Sequence, residues 1–234
     1  MGIILFASLL PVVLLLWYIY RHDTNYKEPL PMLLKAFFFG ILAALLDIVV
    51  ANLLPMLIPQ PADTPLNNAL YTAFVEAALP EEFCKLLMLY WCIWKSPYFD
   101  EYYDGPEYAA FVGLGFAGIE NVLYIIYGGL GLALGRGLLA VPAHFFFAIF
   151  MGYFFALARF RYKRRKYYMF LAYIIPVILH GIYDAILMFV DNLSKIGDLE
   201  EVNPLSSTLY IVFFVFFFLI WRIAIKRVKR MSGQ

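Results

Sequence analysis

Two adjacent carboxylates, Glu81 and Glu82, precede Lys85 in the run Leu79-Pro80-Glu81-Glu82-Phe83-Cys84-Lys85, which lies inside an otherwise apolar stretch. An ionisable group at bilayer depth costs roughly 2.5–3.5 kcal/mol on insertion scales, so two neighbours demand a countercharge or a use. Further along stand Glu120-Asn121, His144, and His180 with Asp184. Residues four apart share a helix face, which pairs Glu81 with Lys85 and His180 with Asp184. In the second pair the aspartate can fix the imidazole tautomer. Glu81 and Glu82 point about 100° apart on a helix, so one is expected to face a reaction site and the other to support it. Carboxylates, imidazoles and an amide at one level are the ingredients of water activation: a base, a proton partner and hydrogen-bond donors.

Those residues need elements to bring them together, and composition says which. Of 234 residues, 64% are hydrophobic and only 15% charged, with a mean hydropathy of +0.77. This is the profile of an all-α, polytopic transmembrane helix bundle forming a single integral-membrane domain. Apolar stretches of spanning length fall at about residues 2–20, 30–58, 69–94, 107–127, 133–158, 168–190 and 205–225, hence about seven spans, with the catalytic core at about 69–190. Pro55 and Pro59 are expected to tilt or break the second span near its end. A glycine-rich turn around Gly128, Gly129, Gly131, Gly135 and Gly137 is expected to lead into the fifth. Arg21, Lys27, Lys95 and the basic runs 159–166 and 222–230 all fall on one side of such a bundle, and only Arg136 and Lys195 on the other. The positive-inside rule then puts the N-terminus outside and the C-terminus in the cytoplasm. An eighth span, the alternative count, would move one basic run to the wrong side. The first segment, with Arg21 after its apolar core rather than before it, is read as a retained helix and not a signal peptide.

On this topology Glu81 lies about 18 Å deep, counted at 1.5 Å per residue. Glu120, His144 and His180 come from three other spans to about the same level. Cys84 and Cys92 share one helix about 12 Å apart, too far for a disulfide. Gly113, Gly115 and Gly118 suggest close helix packing ahead of Glu120. Arg136 reads as an interfacial anchor, and the basic runs read as orientation signals attracted to anionic membrane lipids.

Several functions are set aside by what is missing. The charge balance, 18 basic against 17 acidic side chains, gives no reason to expect nucleic acid. No serine lies deep in a span beside a histidine, there is no His-Glu-x-x-His, and there is no Gly-x-Gly-Asp with a second intramembrane aspartate. A proton- or ion-coupled transporter using the same acids and histidines remains the alternative to an enzyme.

The motifs Glu81-Glu82-x-x-Lys85, Phe116-x-x-x-Glu120-Asn121, Val141-Pro-Ala-His144 and His180-x-x-x-Asp184, in this order, resemble the PrsW intramembrane protease family, relatives of the CAAX prenyl proteases and bacteriocin-processing enzymes. The resemblance covers about residues 76–190. It implies a multi-pass protease of the bacterial cytoplasmic membrane that makes the first cut in a single-pass anti-sigma factor, releasing an extracytoplasmic-function sigma factor. It also implies catalytic roles for Glu81, Glu82, Glu120, His144 and His180, supported by Lys85, Asn121 and Asp184. Where the prenyl-protease clan has Phe-x-x-x-His, this chain has Phe116-x-x-x-Glu120, which suggests that His144 supplies the missing imidazole. Metal-independent general-base hydrolysis is the expected mechanism. Zinc held by Glu81, His144 and His180 is the alternative.

Overall fold

A computed structural model of the chain describes residues 2–23, 27–195 and 204–232. Among the described residues there is no strand, and the helices form seven rods. These are α1 (Gly2–His22), α2 (Leu30–Leu57), a continuous rod in which α3 (Pro65–Tyr71), a π-helical stretch (Thr72–Ala78) and α4 (Leu79–Ile93) follow one another, α5 (Asp104–Leu138), α6 (Ala140–Phe160), α7 (Arg165–Ser194) and α8 (Pro204–Met231). Four described segments are long and apolar enough to cross a membrane: Leu30–Leu57, Leu134–Phe160, Tyr162–Ser194 and Pro204–Met231. The outward faces of α1, α2 and α8 expose Trp17, Phe38, Leu57, Val215 and Phe218, surfaces that hydrocarbon and not water would cover.

The expected break near the end of the second span is present, at Pro59 and not at Pro55, and one expectation is corrected. α2 runs through Pro55 and ends at Leu57; the stop comes at Ile58, whose extended backbone (φ −114°, ψ 105°) is what a following proline imposes. The glycine-rich segment is helical and not a turn: α5 continues to Leu138, and only Leu139 separates it from α6. With no water to take up freed backbone groups, even glycine keeps its helical bonds in an apolar setting. The helix bends instead. Sixteen residues of straight helix span about 24 Å, yet Arg136 Nη2 lies 2.7 Å from Glu120 Oε1, so α5 must fold back between them. His144 sits one turn into α6 and inside the apolar segment Leu134–Phe160.

Backbone proximity holds the rods in register. A Cβ at Gly40 would strike the Val112 carbonyl, and one at Gly115 the Phe37 carbonyl, so α2 and α5 touch main chain to main chain. Gly105 against Gly152 does the same for α5 and α6, and a Cβ at Gly113 would strike that of Ala148, so these two helices run as an antiparallel pair. Gly118 meets only ordinary side-chain contacts from Leu9 and Val12. α5 therefore packs on α1, α2 and α6, with α6 on α7. Phe99, in the connection between α4 and α5, stacks on Phe155 near the end of α6 (5.5 Å). Cys84 and Cys92 are buried free thiols, Cys84 packing with Met88, Phe116, Ala43 and Ala44 between α2, α4 and α5.

Candidate active site

The entry to α4 is irregular for a reason visible in the sequence. Pro80 has no N–H, so the carbonyl of Glu76 loses its usual partner. The turn ahead of it widens to π-helix, with the Leu79 N–H donating to the Phe74 carbonyl five residues back. The far side of this wide turn meets α7 at Gly181, where any Cβ would collide with the Phe74 ring. Glycine at 181 thus lets the start of α4 and the His180 turn of α7 come together.

Lys85 is the hub. Its Nζ donates to Glu81 Oε2 at 2.9 Å and Glu82 Oε1 at 2.8 Å, lies 3.1 Å from His144 Nδ1, and sits 4.0 Å from the centre of the Phe116 ring. An ammonium only donates, so His144 Nδ1 is the acceptor in this network. Its proton is then on Nε2, which donates to Glu120 Oε2 at 2.9 Å. Glu120 is held from its other oxygen by Arg136 at 2.7 Å. His180 is fixed at both ends: Nδ1 is 2.9 Å from Glu82 Oε1 and Nε2 is 3.1 Å from Asp184 Oδ2. Phe147 stacks on the His180 ring at 5.1 Å, and the two imidazoles stand 84° apart with centroids separated by 5.3 Å.

A cavity of about 300 Å³ opens against this network, lined by Glu81, Glu120, Arg136, His144, His180 and Asp184 among others. Glu82 and Lys85 are not on its wall. The two glutamates therefore divide as their helical angle suggests, Glu81 facing the space and Glu82, fully buried, standing behind it. Asn121 is fully buried and absent from the wall. The structure thus brings together Glu81, Glu82, Lys85, Glu120, His144, His180 and Asp184 and keeps Asn121 off the cavity.

Sequence reasoning missed two residues here. Arg136 is not an interfacial anchor: the bend in α5 returns it to the cavity, where it pairs with Glu120 and stacks 3.8 Å from the centre of the Tyr124 ring, and its buried Nε has no hydrogen-bond partner. Asp47 lines a second cavity of about 320 Å³ against α2, which shares Glu81, Glu120 and Tyr124 with the first. As the single acid of a 28-residue apolar helix, Asp47 carried a legible signal.

Residues 28–221 match the PrsW family of intramembrane metalloproteases. The chain belongs to this family. Relatives named protease PrsW include that of Geobacillus kaustophilus, 38% identical over 78% of both chains. That of Oceanobacillus iheyensis is 34% identical over 97% of this chain and 95% of its own length, and that of Bacillus subtilis 33% identical over 81% and 84%. No solved structure gives a significant match. As a PrsW-family member the chain is a membrane protease, which sets the transporter reading aside.

The family description implies a metal, and the donor set can be tested against one. Glu81, Glu82, His144 and His180 each offer a ligand atom, all within 4.8 Å of one another. Both histidines turn Nδ1 inward and give Nε2 to an outer carboxylate, Glu120 or Asp184, the arrangement that orients metal-bound imidazoles. Glu82 Oε2 is buried with no partner. The residues fit a divalent ion, which would compete with the Lys85 ammonium for the same oxygens.

Proposed function

We propose that this chain is an intramembrane endopeptidase that hydrolyses one peptide bond of a single-pass membrane protein, with Glu81 as general base. The protein substrate we favour is an anti-sigma factor, the cut being the first of a series that frees an extracytoplasmic-function sigma factor. We place the enzyme in the bacterial cytoplasmic membrane as one seven-span domain, N-terminus outside, with residues 69–190 as its catalytic core. The observation that carries the reading is the division of the glutamate pair. Glu81 alone faces the cavity, while Glu82 and Lys85 hold it from behind and imidazoles from two other helices flank it.

In this reading Glu81 takes a proton from water as the water oxygen adds to the scissile carbonyl. It returns that proton to the amide nitrogen as the C–N bond breaks, leaving a carboxylic acid and an amine. Lys85 balances the charge of the pair. Glu120 holds His144 in one tautomer, and Asp184 with Glu82 hold His180. The developing oxyanion is stabilised by Arg136, a cation on the cavity wall. The position of Asn121 favours a structural role over the donor role that its place in the motif suggests.

The donor set favours a metal-assisted version as the second reading. When bound, a divalent ion polarises the carbonyl and acidifies water, and Glu81, Glu82, His144 and His180 would hold it. Co-expression with candidate single-pass proteins, anti-sigma factors among them, tests the proposal. A truncated product is expected with wild type and not with Glu81→Gln, Glu82→Gln or His180→Ala. Cleavage that persists in all three refutes the site. Full activity of chelator-treated protein with no bound metal removes the second reading.

A further inference from the structure

Glu120 is separated from the start of α5 by sixteen residues, about 24 Å of helix, and at that start a second group of carboxylates collects. Glu28, in the segment leading into α2, Asp100 before α5 and Asp104 at its first residue each present an oxygen, and these lie within 4.8 Å of one another. Glu28 and Asp104 are 7% and 1% exposed. Asp104 Oδ2 accepts from the Asp100 and Glu101 N–H groups, and Tyr108 donates to Glu28 Oε2. Asp104 Oδ1 is buried and has no partner. Glu107, one turn further along the same face, is 0% exposed with neither oxygen bonded. Residues three apart on a helix share a face, which sets Glu107 next to Asp104.

All of these neighbours are acids, and among the described residues no lysine or arginine ion-pairs with Glu28, Asp100, Asp104 or Glu107. Burial, and then repulsion from the neighbouring acids, push Glu28 up to about 7. Burial pushes Asp104 up to about 8 against the backbone bonds it accepts. A helix N-terminus favours an acid or two, but Asp23 follows the C-terminal end of α1, where the dipole opposes it. The buried carboxylates of Glu28, Asp104 and Glu107, without a lysine or arginine ion pair among the described residues, need protons or a cation. A fully unbonded, fully buried carboxylate beside three convergent oxygens favours the cation.

We propose that Glu28, Asp100 and Asp104, backed by Glu107, form a binding site for a hard divalent cation of the calcium or magnesium type, separate from the glutamate–histidine site. The donors are all oxygen, as such ions require, in contrast to the imidazole-containing set around Lys85. Bound there, the ion ties the beginning of α2 to the beginning of α5 and raises the unfolding temperature by mass action.

The test uses full-length protein in detergent, stripped with chelator and titrated calorimetrically with CaCl2 and, separately, MgCl2, with thermal unfolding followed in parallel. One ion per chain is expected to bind and raise the melting temperature. Glu28→Gln and Asp100→Asn are expected to weaken it about tenfold or more; Asp100 is exposed, so its variant tests the site without disturbing a core. His180→Ala is expected to leave this binding intact. The proposal is overturned by absence of saturable binding up to about 1 mM of either ion, by binding that survives both carboxylate substitutions, or by binding that disappears in His180→Ala.

Discussion

Replacing Glu120 by glutamine keeps its shape and removes one acceptor, and the network around it leaves no way to absorb the change. Glu120 accepts from His144 Nε2 at 2.9 Å and from Arg136 at 2.7 Å. A glutamine side chain accepts at one end and donates at the other. If its carbonyl stays with Arg136, its amide faces His144 Nε2 and drives the imidazole proton to Nδ1, which meets the Lys85 ammonium 3.1 Å away. If the amide turns round, it faces the Arg136 guanidinium. Either orientation sets donor against donor at one contact. A hydrogen bond to a charged group contributes about 1.5–3 kcal/mol, and if it is needed in the transition state its loss slows the reaction by about 10- to 150-fold. Initial cleavage rates of a co-reconstituted single-pass substrate, with circular dichroism to confirm the fold, measure this. A folded Glu120→Gln protein that cleaves within about twofold of wild type would refute the tautomer argument.

Glu81→Gln should abolish cleavage and lower the melting temperature only moderately, because Glu81 faces a cavity and Lys85 keeps Glu82 as a countercharge; Glu82→Gln should lower both further, since it removes the fully buried acceptor shared by Lys85 and His180, and loss of one member of a buried ion pair costs about 3–5 kcal/mol. Equal melting temperatures for the two would contradict the division of the pair. Gly181→Ala should destabilise by about 1–3 kcal/mol, through collision with Phe74 in the π-helical turn, and cut cleavage, read by unfolding and product formation. Lys85→Met should raise zinc affinity, because the competing ammonium is gone. Metal content after equilibration at fixed free zinc checks this, and unchanged or lower loading counts against the shared-oxygen argument.

The four helices that carry Glu81, Glu120, His144 and His180, and the two spaced pairs Glu81–Lys85 and His180–Asp184, were legible because apolar run length and helical periodicity are local properties. Which glutamate faces the cavity was open, since a 100° angle separates two directions without naming either. The path of α5 was hidden. Glycines mark a break in water, whereas in an apolar setting they keep their helical bonds and only bend, and that bend carries Arg136 from a presumed rim position to Glu120. Asp47 was visible as an acid in an apolar helix, but only packing shows that it borders a space reaching Glu81.

The tether on Lys85 gives this protein a permanent internal counterion. A metalloenzyme whose ligands are bare carboxylates must wait for its ion before those ligands tolerate one another; here the ammonium, on the same helix as both glutamates, quiets their repulsion from the moment α4 inserts. On the metal-assisted reading, assembly in the bilayer is thereby uncoupled from metal supply, and starvation for an ion would silence the enzyme without unfolding it.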